Sequence, residues 1–130
     1  MMTGDAGIGT MHIGEIAEKT GLSQRTLRHY DEIGLLTASG RTEGGFRLYT
    51  ADDLSRLLLI RRMKPLGFSL EDMTELLRII DVMQSGDPAA SSAEVREEFD
   101  RFLADAAQRR EKLQHQLTMA DEFLDLLRRQ

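Results

Sequence analysis

The chain has 130 residues, enough for one compact domain and an accessory element, and its net charge is −5. No apolar run approaches the roughly 20 residues that cross a bilayer. The absence of cysteine excludes disulfides, thiolate metal sites and a thiol redox switch. Residues 1–10 lack the basic start and apolar segment of a signal peptide, so we expect a disordered N-terminal extension on a cytoplasmic protein.

The negative charge argues at first against a nucleic-acid partner, because phosphate binding needs a cationic surface. The charges are unevenly distributed, however. Residues 11–70 carry nine Lys or Arg against seven Asp or Glu, whereas residues 71–130 carry eight against fourteen. The first half is therefore the candidate for phosphate contact, although a solvated mixed-charge surface would explain most of these side chains.

The first two predicted elements are short helices joined by a turn. An amphipathic helix over about residues 14–20 is ended by Gly21, which suits a left-handed C-terminal position. Ser23 is a good N-cap for the second helix, which keeps Leu27 inward and ends at Gly34. The second helix is rich in arginine and aromatic residues. This pattern is typical of a helix-turn-helix that reads the DNA major groove.

A short β-hairpin is predicted within residues 37–49, where glycines bracket polar residues and an alternating run follows. Gly44 and Gly45 suit its tight turn, because paired glycines supply positive φ angles. Residues 11–13 are a short extended lead-in and a candidate minimal strand. A hairpin placed directly after a helix-turn-helix is a wing.

Two capping boxes, beginning at Thr50 and at Ser69, predict the N-termini of the third and fourth helices. The third helix should run over about residues 51–63, since a proline and a glycine follow it closely. The fourth should extend to about residue 80. Residues 81–93, which include several small and polar residues, are predicted to be a linker.

Residues 94–130 contain neither glycine nor proline and predict one long helix for dimerisation. Alternating steps of four and three residues define a seam with eight apolar positions in nine: Phe99, Leu103, Ala106, Arg110, Leu113, Leu117, Ala120, Leu124 and Leu127. A helix cannot bury such a stripe alone, and the simplest partner is the same helix of a second copy. Arg110 either sets the register or, more simply, extends along its neighbours into solvent.

Residues 11–80 resemble the winged-helix DNA-binding domain of the MerR family of bacterial transcriptional regulators. The resemblance lies in IGEIAEKTGLSQRTLRHYDEIGLL and RTEGGFRLYTADDLSRLLLIRRMKPLGFSLEDMTELL. It implies a mainly α fold: a winged helix-turn-helix domain with a small β-hairpin wing, then a long dimerisation helix that forms an antiparallel coiled coil. It also implies a homodimer that binds a pseudo-palindromic promoter and distorts the DNA, realigning promoter elements for RNA polymerase, an indirect partner.

Side-chain chemistry and the resemblance together predict the residues that contact double-stranded promoter DNA. The exposed start of the second helix would reach base edges, while the wing and the end of the third helix would hold phosphates. Tyr30 could offer its hydroxyl to a phosphate or pack in the core. The predicted DNA-binding residues are Ser23, Gln24, Arg25, Thr26, Arg28, His29, Tyr30, Arg41, Arg47, Tyr49, Arg61, Arg62 and Lys64.

Neither a cofactor nor a metal is expected. His115 and Glu111 are one helical turn apart, but a solvated helix face explains them more simply. The family's metal sensors bind through cysteines, which this sequence lacks, and we expect no drug-binding domain after the long helix. An effector, if there is one, would occupy a small cavity among the fourth helix, the linker and the start of the long helix. Phe99 and Phe102 are its candidate walls.

The sequence holds no set of residues that indicates catalysis, so an enzyme is not expected. The alternative to a regulator is a coiled-coil protein-interaction adaptor whose winged helix binds a protein. The acidic second half supports it, whereas the basic second helix and the arginines of the wing argue against it. The operator, the regulated genes, the effector and the choice between activation and repression stay open.

Overall fold

The computed structural model describes residues 9–88 and 92–130, so the predicted disorder of residues 1–8 lies outside the described residues. Its elements are β1 (Met11–His12), α1 (Ile13–Thr20), α2 (Gln24–Glu32), β2 (Gly40–Arg41), β3 (Arg47–Tyr49), α3 (Ala51–Met63), a 3-10 turn (Lys64–Leu66), α4 (Leu70–Gln84) and α5 (Ala93–Arg128). The chain divides into two compact units, and the division falls within the residues of α4. The first, the head, ends at Thr74, and the second, the tail, begins at Glu75.

The turn between α1 and α2 is fixed by local hydrogen bonds. Gly21 adopts φ 74° and closes α1, as predicted. The hydroxyl of the buried Thr20 donates to the Ile16 carbonyl over 2.8 Å and accepts the Leu22 amide at 3.2 Å. Ser23 then caps α2. These local hydrogen bonds hold the chain between the two helices in one conformation.

A three-stranded antiparallel sheet in the order β1-β3-β2 lies beside these helices. The extended lead-in predicted at residues 11–13 is in part a strand, since Met11 pairs with Tyr49. In the hairpin, Arg41 lies opposite Arg47. The sheet therefore joins the start of the chain to the wing.

The wing turn differs from the prediction in one detail. The Gly45 amide donates to the Thr42 carbonyl over 2.9 Å, and the Thr42 amide donates to the Phe46 carbonyl over 2.9 Å. Gly45 has φ 83°, but Gly44 does not adopt a positive φ. The expectation of two positive-φ glycines was wrong, because a three-residue loop of this kind needs one left-handed residue after the turn.

Both predicted capping boxes are confirmed. In the first, the Thr50 hydroxyl accepts the Asp53 amide at 3.2 Å while the Asp53 carboxylate accepts the Thr50 amide at 2.9 Å. The same carboxylate accepts the Ser39 hydroxyl at 2.7 Å, which ties the chain before β2 to the start of α3. Asp53 is buried, and the two hydrogen bonds that its carboxylate accepts compensate for the burial of this polar group.

The second capping box joins Ser69 and Asp72, whose side chains accept each other's amides at 3.1 and 2.9 Å. It begins α4, which continues to Gln84. Residues 81–84, expected to be linker, are therefore helical. Residues 89–91 of the predicted linker lie outside the described part of the chain.

The core of the head is formed by α1, α2, α3, β3 and the segment after α3. Its buried apolar side chains are Met11, Ile16, Leu27, Tyr30, Leu35, Leu36, Tyr49, Leu57, Ile60, Met63, Phe68 and Met73. Leu27 takes the inward position predicted for α2, and Tyr30 is buried beside it. Full burial stabilises the fold by about 1.5–3 kcal/mol for each large side chain, which holds α2 rigidly against the domain.

The tail contains the end of α4 and the long helix α5, whose N-cap Ser92 accepts the Val95 amide at 3.3 Å. Within this unit, Arg78 of α4 donates to Glu75 at 2.6 Å and to Glu98 of α5 at 2.7 Å. These contacts lower the pKa of Glu75 and raise that of Arg78. In residues 9–88 and 92–130, none of the helices combines the length and apolarity that a bilayer crossing would need.

Candidate nucleic-acid interface

Helix α2 presents a polar face to solvent above its buried apolar face. Gln24, Arg25, Arg28 and His29 are exposed, and Arg28 donates to the Gln24 side chain over 3.2 Å. Ser23, also a predicted contact, uses its side chain in the cap, where it accepts the amide of residue 26 at 3.0 Å. Donors on one face and core on the other are what a helix needs to enter the major groove.

A groove of about 380 Å³ runs beside this face. Its lining comes from α2, the 3-10 turn and the start of α4: Arg25, Thr26, His29, Tyr30, Lys64, Phe68, Leu70 and Met73. Arg25, His29 and Lys64 are exposed, whereas Tyr30 is buried. The structure thus brings Lys64, predicted to bind phosphate after the third helix, and the predicted base-reading residues of α2, the recognition helix, to one concave surface. Its cationic side chains suit an anionic partner.

Two tyrosines that were candidate contacts lie in the core instead. Tyr49 is completely buried, so the prediction that it contacts DNA was wrong. Tyr30 is only 4% exposed, which favours its alternative role in core packing. Burial raises the pKa of both phenols. The Tyr49 hydroxyl finds no hydrogen-bond partner among the residues that the structure describes.

Replacing Tyr49 with phenylalanine is expected to leave the head at least as stable, with a gain of up to about 1 kcal/mol in the free energy of unfolding. The substitution removes a buried hydroxyl that has no partner and keeps the packed ring. Denaturant unfolding measures the change. A loss of stability above about 1 kcal/mol would mean that the hydroxyl makes a stabilising hydrogen bond after all.

The arginines of the wing point toward the recognition helix. Arg47 donates through Nε to an Asp31 carboxylate oxygen at 2.5 Å, and Nη2 of Arg41 lies 3.6 Å from the same oxygen. Nη1 of Arg41 also donates to the Gly45 carbonyl over 2.9 Å. The hydrogen bond to Asp31 raises the pKa of Arg47. Both arginines stay candidates for phosphate contact, but the structure gives each an internal partner.

Sequence reasoning missed Asp31. Side chains alternate across a strand, so Arg47 and Tyr49 lie on the same face of β3. This alternation would have indicated an inward Arg47 only if Tyr49 had been assigned to the core, where the structure places it. Asp31 is the carboxylate partner of the partly buried Arg47 guanidinium.

The remaining predicted contacts lie at the end of α3. The Arg61 guanidinium packs at the helix-turn-helix turn, where its Cζ is 3.2 Å from the position that a Cβ on Gly21 would take. Arg62 is exposed, and its guanidinium reaches the carbonyl of Leu58 at 3.4 Å. Arg61 is thus close to the turn before the recognition helix, and both residues stay predicted phosphate contacts.

The apolar seam predicted for dimerisation is largely exposed to solvent in the single chain. Phe99 and Ala106 are half-buried, and the other seam positions are exposed, with Leu117 at 56%. At the proposed effector wall, the Arg96 guanidinium lies 5.9 Å from the centre of the Phe99 ring, and Phe102 is half-buried. The cavity predicted there stays a prediction. In the described ranges, no three His, Asp or Glu side chains are grouped to hold a metal ion.

Comparison with known proteins identifies two overlapping family models in the chain. The model for the MerR HTH family regulatory protein matches residues 11–79, and the model for MerR, DNA binding, matches residues 54–122. Together they cover the recognition helix, the wing and most of α5.

Similar proteins match over most of their length. The chain is 35% identical to the HTH-type transcriptional regulator CueR of Salmonella typhimurium, over 89% of this chain and 78% of the relative. It is 35% identical to the HTH-type transcriptional regulator YfmP of Bacillus subtilis, over 86% of this chain and 79% of the relative. The crystal structure of HiNmlR, a MerR family regulator lacking the sensor domain, bound to promoter DNA, aligns with TM-score 0.62 and 33% identity, covering 91% of this chain and 84% of that one.

Proposed function

Because the chain belongs to the MerR family of transcriptional regulators, we propose that it acts as a homodimer that binds a pseudo-palindromic promoter and distorts its DNA. It is a DNA-binding regulator and not an enzyme. The alternative of a protein-interaction adaptor is not favoured by the family matches. The observation that carries the proposal is the exposed polar face of α2 beside a groove lined by Arg25, His29 and Lys64.

The open seam of α5 supports the homodimer. Large apolar side chains repeat along its length at the spacing of a coiled coil, and each is about half exposed in a single chain. A second copy would cover them. We propose an antiparallel pairing of the two α5 helices, so that one dimer carries two heads for the two half-sites of a pseudo-palindromic DNA duplex.

The second part of the proposal concerns the effector that would control the protein. A metal bound by thiolates is excluded as the effector within this sequence, because the sequence has no cysteine. We propose that any effector binds beside Phe99 and Phe102 of the tail. We propose further that the protein works in the cytoplasm, where promoter DNA and RNA polymerase are found, and that its effect on the polymerase is exerted through the shape of the DNA.

The test is a gel shift with the DNA upstream of the protein's own gene at two salt concentrations. Specific binding that weakens with salt is expected, because α2 and the wing displace counterions from phosphates. Circularly permuted probes with the site at different positions would migrate differently if the bound DNA is bent. Equal migration of all the permuted probes would show that the bound DNA is not bent and would contradict the proposed distortion. Capture of a protein partner without any DNA shift would favour the adaptor.

A further inference from the structure

Asp31 stands where an acidic residue is unfavourable for two reasons. It lies in the last turn of α2, at the negative end of the helix dipole, where cations are favoured. It also adds negative charge to the head that approaches phosphates. A carboxylate in this place needs a compensating interaction.

The wing provides that interaction through two strands. Arg41 on β2 and Arg47 on β3 are paired across the hairpin, and both approach the same oxygen of Asp31, at 3.6 and 2.5 Å. The Asp31 side chain is 12% exposed and that of Arg47 is 23% exposed. The charge-assisted hydrogen bond between Asp31 and Arg47, shielded in this way, is stronger than a solvated surface ion pair, whereas the Arg41 side chain is 51% exposed and its contact is the weaker of the two. We call Asp31 and its two partners, Arg41 and Arg47, the fork. Arg41 also donates to the Gly45 carbonyl of the turn, so the fork reaches the tip of the wing.

We propose that Asp31 is a positioning residue that fixes the wing to the recognition helix, so that both contact DNA as one rigid surface. This inference rests on the proposed DNA-binding function. The carboxylate occupies the Nε edge of Arg47, and a guanidinium has further N–H donors in a fixed plane. Asp31 thereby sets the direction in which Arg41 and Arg47 present those donors to the phosphate backbone.

The experiment compares Asp31→Asn with Glu32→Gln. The two substitutions remove the same charge from neighbouring residues at the end of α2, but Glu32 is exposed and is not part of the fork. If only net charge mattered, both variants would bind the promoter DNA as well as the wild type or slightly better. We expect Glu32→Gln to bind the promoter DNA at least as tightly as the wild type. We expect Asp31→Asn to bind it about tenfold more weakly than the wild type. Equal affinity of the two variants would overturn the proposal.

A positioning role also predicts where the contacts are lost. In hydroxyl-radical footprints, which report the protection of backbone sugars, Asp31→Asn should lose protection at the nucleotides beside the wing and keep it at the nucleotides beside α2. The slope of log affinity against log salt should fall by about one. Asp31→Glu, which keeps the carboxylate, should recover most of the affinity. A uniform loss of the footprint would indicate a general defect of the fold and contradict the proposal.

A measurement without DNA separates this inference from the proposed function. Amide hydrogen exchange of the free protein should become about tenfold faster at Thr42 and Phe46 in Asp31→Asn, with unchanged exchange in α1. Glu32→Gln should leave the exchange of both regions unchanged. Faster exchange in α1 and the wing together would refute the local role of Asp31. A wild type with a rigid wing but no specific DNA binding would instead refute the function.

Discussion

Replacing Leu117 with aspartate is expected to convert the protein into a monomer and to weaken promoter binding by about a hundredfold or more. Leu117 lies within the α5 seam, where a second copy would enclose it. The substitution would bury a carboxylate without a partner in the seam of each copy, which is strongly destabilising. Sedimentation velocity measures the mass, and titration of promoter DNA measures the affinity.

The matched control is Thr118→Asp. Thr118 is the next residue of α5, is exposed, and lies outside the seam. The substitution therefore adds the same charge at almost the same position along the helix. The control should remain a dimer with nearly unchanged affinity. A dimeric Leu117→Asp protein would show that α5 does not associate through this seam, and monomeric Thr118→Asp would show that the interface is wider than the seam.

Removing the Arg25 side chain should produce the second large effect. Arg25 is exposed in the first half of α2 and lines the groove shared with Lys64. Its replacement by alanine is expected to cost about 1–3 kcal/mol of binding free energy, or roughly a tenfold to hundredfold loss of affinity. If Arg25 reads a base, the loss of affinity should be largest on the preferred operator. It should disappear on an operator in which the base pair that Arg25 contacts has been changed.

A panel of single-base operator variants tests this prediction with Arg101→Ala as the control. Arg101 is an exposed arginine of α5 that lies off the seam, and its loss changes the net charge equally. The control should bind every variant as the wild type does. An equal loss on all sequences for Arg25→Ala would place Arg25 on a phosphate, and no loss at all would remove it from the interface.

The helices could be predicted well because their boundary signals are local. The bounds of α3 follow from the capping box at Thr50 at one end and from Pro65 and Gly67 at the other. The long helix could be predicted for the same reason, since one periodic pattern persists from Phe99 to Leu127. In both cases, the interactions that decide the structure lie within a few residues along the chain.

The wing was harder to predict, because its details depend on residues that are distant in sequence. Pairing of β1 with β3 joins Met11 to Tyr49, and no local pattern indicates that partner. The contact of Asp31 with Arg47 spans 16 positions. Aromatic and basic residues on a wing suggest DNA contact when each is considered alone. Their burial is decided by the face of the strand and by the neighbouring helix.

The two tyrosines give the protein a natural optical reporter. The chain has no tryptophan, and Tyr30 and Tyr49 are both buried in the head. Near-ultraviolet circular dichroism and tyrosine emission therefore follow the packing of the head, whereas the far-ultraviolet signal has its largest single contribution from α5. Melting curves recorded by the two methods at several protein concentrations would show directly whether dissociation of the long helices precedes unfolding of the heads.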